Sequence, residues 1–177
     1  MAETCKLGSG LVPVFQKLDW LRAPEQAYRK TYTLRPGDSW FDAESTPGQR
    51  EIYVLDQNCI AVPVGAMIAR ELKFQGAVEA GFVELWGGVV VVDENLKCIP
   101  LSGRIGAIIS EVKNARDGKL AGFPDVVGIF PDGRISFREA KSVSSKDKIS
   151  VDQHDMADIL RALYGEKADI ALVYWDF

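Results

Sequence analysis

The chain has 177 residues, of which 47% are apolar and 26% charged, which excludes a disordered chain and allows one ordinary domain with a buried core. The longest unbroken apolar run, Ile170 to Trp175, is too short to cross a bilayer. The net charge of −4 argues against a protein that coats nucleic acid nonspecifically, and the single histidine, His154, excludes a multi-histidine metal site within one chain.

No basic stretch followed by an apolar segment opens the chain, so a cytoplasmic protein without a membrane partner is expected. Residues 1–62 are punctuated by Pro13, Pro24, Pro36 and Pro47 and lack a strong helical period. They are read as an N-terminal extension or subdomain preceding a core at 63–177. Within them, Ile52 to Leu55 and Ile60 to Val64 are β-prone, with a turn at Asp56, Gln57 and Asn58. Pro63 suits an edge strand. Cys5, Cys59 and Cys98 are odd in number and far apart, and read as reduced, buried thiols.

From Gly65 the period becomes helical. Met67, Glu71, Phe74, Val78, Phe82 and Leu85 fall on one stripe and predict a helix reaching Trp86. Gly76 and Gly81 weaken it, and Gly87-Gly88 ends it. A buried strand follows at Val89 to Val92, then a helix from Arg104 to Asn114 and strands at Val126 to Phe130 and Ile135 to Lys141. A helix from Val151 to Tyr164 and a strand from Ile170 to Trp175 complete the chain. This order predicts an α/β domain with a mixed central sheet flanked by helices.

The turn Phe130-Pro131-Asp132-Gly133-Arg134 carries the most information. Proline second and glycine fourth favour a three-residue hairpin loop closed by a left-handed glycine. Pairing Phe130 with Arg134 places Asp125 opposite Glu139, and strand alternation adds Lys141 to the same face. Val127, Ile129, Ile135 and Phe137 continue that face as an apolar strip. Two adjacent carboxylates repel unless a cation or a shared proton relieves them. A hard divalent ion does so through carboxylate and water oxygens, and a Lys141 salt bridge on a solvated edge is the plainer alternative. Around this hairpin, residues 113–148 hold eight basic and five acidic side chains, a local excess of positive charge that a solvated mixed surface also explains.

Gly122-Phe123-Pro124-Asp125 followed by Glu139-Ala140-Lys141 resembles the signature of PD-(D/E)xK nucleases, closest to the virus-type replication-repair nuclease (VRR-NUC) domain. Further matches are Glu71 and Gln75 on a helix, Gly87-Gly88 before a strand, the basic stretch Lys113 to Lys119, and Gln153 opening a helix. The resemblance covers about residues 67–175. It implies a restriction-endonuclease-like core and a metal-dependent DNA nuclease, acting on branched or structured DNA, possible as a homodimer. It assigns Mg²⁺ or Mn²⁺ to Asp125, Glu139, the main-chain carbonyl of Ala140 and Glu71. It makes Lys141 the group that orients water or stabilises developing charge, and brings Gln153 to the catalytic site.

Glu79 competes with Glu71 as the helix ligand, because it too can face inward. Gln153 also fits a helix-capping box with Ser150 as N-cap. Phosphate contacts are expected from Lys113, Arg116, Lys119, Lys146 and Lys148. A noncatalytic nucleic-acid-binding module on the same fold is the alternative function, and an unrelated α/β protein with a hairpin salt bridge is the third.

Overall fold

Apolar alternation in the last third of the chain builds the centre of one large sheet. The fold is taken from a computed structural model, which describes residues 3–23, 33–44, 53–85 and 88–177. The sheet strands are β1 (Thr4–Leu7), β2 (Gly10–Lys17), β5 (Glu79–Glu84), β6 (Val90–Asp93), β7 (Cys98–Ile99), β8 (Val126–Ile129), β9 (Ile135–Ser142) and β10 (Ala168–Trp175). Two more, β3 (Tyr53–Leu55) and β4 (Ala61–Pro63), pair with each other, and the helices are α1 (Val64–Phe74), α2 (Arg104–Ala115) and α3 (Val151–Tyr164). The order across the eight-stranded sheet is β1-β2-β10-β9-β8-β5-β6-β7. β10 runs parallel to both β2 and β9, and the other neighbours are antiparallel. The chain is therefore an α/β protein with a mixed sheet flanked by helices.

Each face of the sheet carries its own core. On one, α1 contributes Ala66, Ile68, Ala69 and Leu72, which pack with Phe82, Val126, Ala140 and Val173. Trp40 is fully buried there, its ring edge-on to Phe82 at 5.0 Å. On the other, α2 supplies Ile105, Ile109 and Val112, and α3 supplies Met156 and Leu160, against Val127, Phe137 and Leu172. This burial of apolar surface on both faces is the main force holding the layers together.

Part of the segment read as an extension is built into this sheet, since β2 lies beside β10. The β1–β2 turn is tied to α3 by Gly8 N donating to His154 Nδ1 at 2.9 Å and Ser9 N donating to Asp158 Oδ1 at 2.7 Å. His154 thus acts as an anchor for the turn. The β3–β4 hairpin forms where expected, but β4 is only Ala61–Pro63, because Val64 opens α1; Ile52 lies outside the described residues.

The predicted helix from Gly65 to Trp86 is corrected. α1 stops at Phe74, the chain turns at Gly76, and Glu79 to Glu84 is a strand. Phe74, placed on the apolar stripe, is 95% exposed. The stripe merged two elements: the buried helix positions are Gly65, Ala66, Ile68, Ala69 and Leu72, none of them on that stripe, while β5 is buried on both faces. Phe82 enters one core and Val83 the other. A short apolar strand of that kind has no period of its own to separate it from a helix. The expected helix end at Trp86 and Gly87 lies outside the described residues. The cysteines also differ from expectation. Cys98 is buried and Cys5 partly so, but Cys59 is exposed, at φ +58° in the β3–β4 turn.

Candidate active site

The β8–β9 hairpin has the register that its turn predicts. Phe130 N donates to Arg134 O at 2.9 Å, Gly133 takes φ +83°, and Val126 and Val127 face Arg138 and Phe137. Asp125 lies one residue before β8. Its main-chain oxygen still accepts from Val83 N at 2.8 Å, while its side chain turns to β9, where Oδ2 accepts the Ala140 N–H at 2.7 Å. A carboxylate thus takes over an amide at the point where the ladder stops. Glu139 and Lys141 follow Phe137 on the face covered by α2 and α3, and Ala140 packs into the opposite core.

Lys141 Nζ is the hub. It lies 3.1 Å from Glu139 Oε1, donates to Gln153 Oε1 at 3.1 Å, and stands 3.5 Å from Asp147 Oδ1. Its side chain is 3% exposed, so this ammonium is held almost entirely by side-chain oxygens. Gln153 Nε2 in turn donates to Glu139 Oε1. The same amide closes the helix cap: Ser150 N donates to Gln153 Oε1 at 2.9 Å, and Gln153 N donates to Ser150 Oγ at 3.2 Å. Capping and site contact are therefore one arrangement, because the first turn of α3 aims its third residue at β9.

The loop before Asp125 is fitted closely to that helix end. A Cβ on Gly122 would sit 2.3 Å from the main-chain carbonyl of Asp152, at a residue whose φ is already +78°. Only glycine allows this approach. Arg116 reinforces it by donating to Ala121 O and lying 3.8 Å from Asp152 Oδ1, with 12% of its side chain exposed.

Burial raises the proton affinity of both carboxyls. Asp125 is raised to about 6, first by desolvation, against the opposing Ala140 hydrogen bond and Lys141 charge. Glu139 is raised well above its ordinary value, by desolvation and then by the Asp125 charge. Two carboxylates buried this close together repel each other, and a shared proton or a cation relieves that repulsion. Asp147 adds negative charge against both. It is the site residue that the sequence reading missed. A polar loop between strand and helix has no period from which its distance to Lys141 follows.

Asp125, Glu139, Lys141 and Gln153 are brought together. Glu71 lies apart, with its carboxylate 2.6 Å from Lys17 Nζ. The buried positions of α1 belong to the core shared with Ala140, on the other face from Glu139. Glu79 is also committed elsewhere: it opens β5, where its carboxylate meets Ile105 N and Arg104 Nε, each at 3.4 Å, at the start of α2. Among the expected phosphate contacts, Lys113, Lys119, Lys146 and Lys148 are exposed, whereas Arg116 is bound into the loop.

Among the described residues, no group of three or more His, Cys, Asp or Glu side chains is arranged to hold a metal. The acidic pair itself suits a hard cation that keeps several of its waters, since Mg²⁺ is commonly bound by one or two carboxylates. Such a cation would offset the negative charge that the two carboxylates bring together. The chain matches no known family model, no curated protein and no solved structure.

Proposed function

We propose that this chain is a metal-dependent nuclease with a restriction-endonuclease-like core, hydrolysing phosphodiester bonds in branched or structured DNA. The observation that carries the reading is the convergence of Asp125, Glu139 and Lys141, braced by Gln153, at the end of a buried hairpin. A structural ion pair needs only one carboxylate, and the second raises the cost of burial. Such a cost is commonly retained at functional sites.

In this reading Asp125 and Glu139 would hold Mg²⁺ or Mn²⁺, with the Ala140 carbonyl that the resemblance assigns. The ion supplies Lewis acidity toward the phosphate and lowers the pKa of a bound water. Lys141 places a positive charge beside the acidic pair, where it stabilises charge developing on phosphate oxygens. Gln153 fixes Lys141 and Glu139 relative to each other through its two amide ends. Pro124 and Phe137 border the site with apolar surface that limits water access. The exposed Lys113, Lys119, Lys146 and Lys148 would attract the phosphate backbone.

The deciding experiment incubates pure protein with labelled branched, single-stranded and duplex DNA, with Mg²⁺, Mn²⁺ or EDTA. Cleavage of a branched substrate that requires metal and is lost in Asp125→Asn supports the proposal, and undiminished cleavage in EDTA overturns it. The noncatalytic alternative rests on the closed Lys141–Glu139 pair, and predicts DNA binding without turnover under every metal condition.

A further inference from the structure

Beyond Lys141 a row of side chains crosses the sheet toward its β1 edge. Tyr174 on β10 lies directly beside Lys141 on β9, and Gln16 on β2 lies directly beside Tyr174. Neighbouring strands are about 4.8 Å apart and their register partners share a face, so the row leads outward from the acidic pair. Tyr174 is partly exposed and Gln16 is exposed. Gln16 Nε2 donates to Glu3, which sets the outer end of the row. Burial is the first cause that raises the Tyr174 phenol above its ordinary value, followed by the nearby Cys5, with Lys141 opposing. The phenol is therefore a neutral donor at physiological pH, and its O–H has no hydrogen-bond partner among the described residues. The O–H is not one of the buried polar atoms that lack a partner, so it faces solvent and is open to an incoming acceptor.

We infer that Tyr174 is a substrate-positioning residue, its phenol donating to a phosphodiester oxygen of the strand that crosses this row, next to the phosphate held at Lys141. The inference rests on the nuclease reading for its substrate class. The chemistry suits an anionic oxygen: the donor is neutral, accessible and adjacent to a buried ammonium. A base stacked on the ring would instead leave the hydroxyl unused.

The test compares wild type with Tyr174→Phe, which keeps the ring in its core contacts and removes only the oxygen. Binding of a labelled splayed duplex is measured with Ca²⁺ in place of Mg²⁺, and cleavage with Mg²⁺. The expected result is binding about tenfold weaker, the loss appearing in KM more than in kcat, with an unchanged melting temperature. Wild-type affinity in Tyr174→Phe overturns the inference, as does a fall in melting temperature that accounts for the loss. The two readings fail separately. A wild-type chain that binds through Tyr174 without cutting removes the nuclease reading alone, and one that cuts equally well as Tyr174→Phe removes the Tyr174 inference alone. A chain that neither binds nor cuts removes both.

Discussion

Gln153 Nε2 donates to Glu139 Oε1, while Gln153 Oε1 accepts from both Lys141 Nζ and the Ser150 N–H. One side chain therefore ties the start of a helix to the acidic pair on a strand, and the two functions can be separated by mutation. Ser150→Ala removes one capping contact and should cost about 1 kcal/mol of stability, with cleavage little changed. Gln153→Glu keeps a residue suited to that cap but sets a carboxylate against Glu139. Cleavage should fall by about a hundredfold or more, with a smaller loss of melting temperature than the activity loss suggests. If Ser150→Ala abolishes cleavage and Gln153→Glu does not, Gln153 serves the helix alone.

Asp125 sets a pH dependence whose sign follows from its raised value. Its carboxyl titrates near 6 in the folded chain, against an ordinary value of 3.8. Between these pH values the folded state holds the extra proton, so the stability contribution is fully present below about 4 and is lost as pH rises through 6. Asp125→Asn has no such loss. In EDTA it should melt above wild type at pH 7, by roughly 2–4 °C per kcal/mol, with the difference vanishing near pH 4. Added Mn²⁺ should then stabilise wild type and not the variant. Thermal unfolding with and without metal measures both, and a difference that grows toward low pH contradicts the assignment.

The hairpin was legible because its turn fixes its register. Once Gly133 closes the loop, Asp125, Glu139 and Lys141 have no freedom to move to another face. α3 was legible through its Ser150 cap and appears with its predicted bounds. The stretch after Gly65 was misread because β5 is apolar on both faces, and steps of three and four can be threaded through such a run. Glu71 followed that error: its expected place depended on a stripe of which Phe74 was part, and Phe74 is in solvent. Asp147 and Lys17 were invisible for a different reason. Their partners, Lys141 and Glu71, are reached through tertiary packing and not through any local spacing.

The basic residues divide into two groups. Lys146→Ala and Lys148→Ala should each weaken DNA binding across all sequences and lower the slope of log affinity against log salt by about one. Arg116→Ala should instead lower the melting temperature, because its guanidinium holds Ala121 O and faces Asp152. Affinity titrations over a salt series, alongside thermal melts, distinguish the groups. A salt slope unchanged in the lysine variants removes this loop from the DNA path.

Glu71 and Glu79 give a further contrast. Glu71→Gln breaks a part-exposed pair with Lys17 and should leave cleavage within a few-fold of wild type. Glu79→Gln weakens a carboxylate at the start of α2 and should cost about 0.5–1 kcal/mol, again with cleavage retained. Turnover and melting temperature of both variants under the same metal conditions decide this. A large loss of turnover confined to Glu71→Gln would mean that α1 shifts when metal or DNA binds.

Lys141 is buried far more deeply than a residue at a strand end need be, and its removal has two consequences that can be told apart. Lys141→Met leaves Glu139, Gln153 and Asp147 facing an apolar end, and the unpaired buried carboxyl costs stability. Glu139 can answer by holding its proton more tightly, so the loss should be smallest near pH 5 and grow toward pH 8. Adding Glu139→Gln removes the stranded charge and should recover much of the stability at pH 8. It cannot recover cleavage, since the lysine and one carboxylate are then both gone. The measurement is a melting curve at three pH values for the single and double variants, beside their turnover. Loss of turnover in Lys141→Met at pH 5, where its loss of stability is smallest, assigns Lys141 to chemistry. A single variant that melts as wild type and still cuts would remove Lys141 from the site.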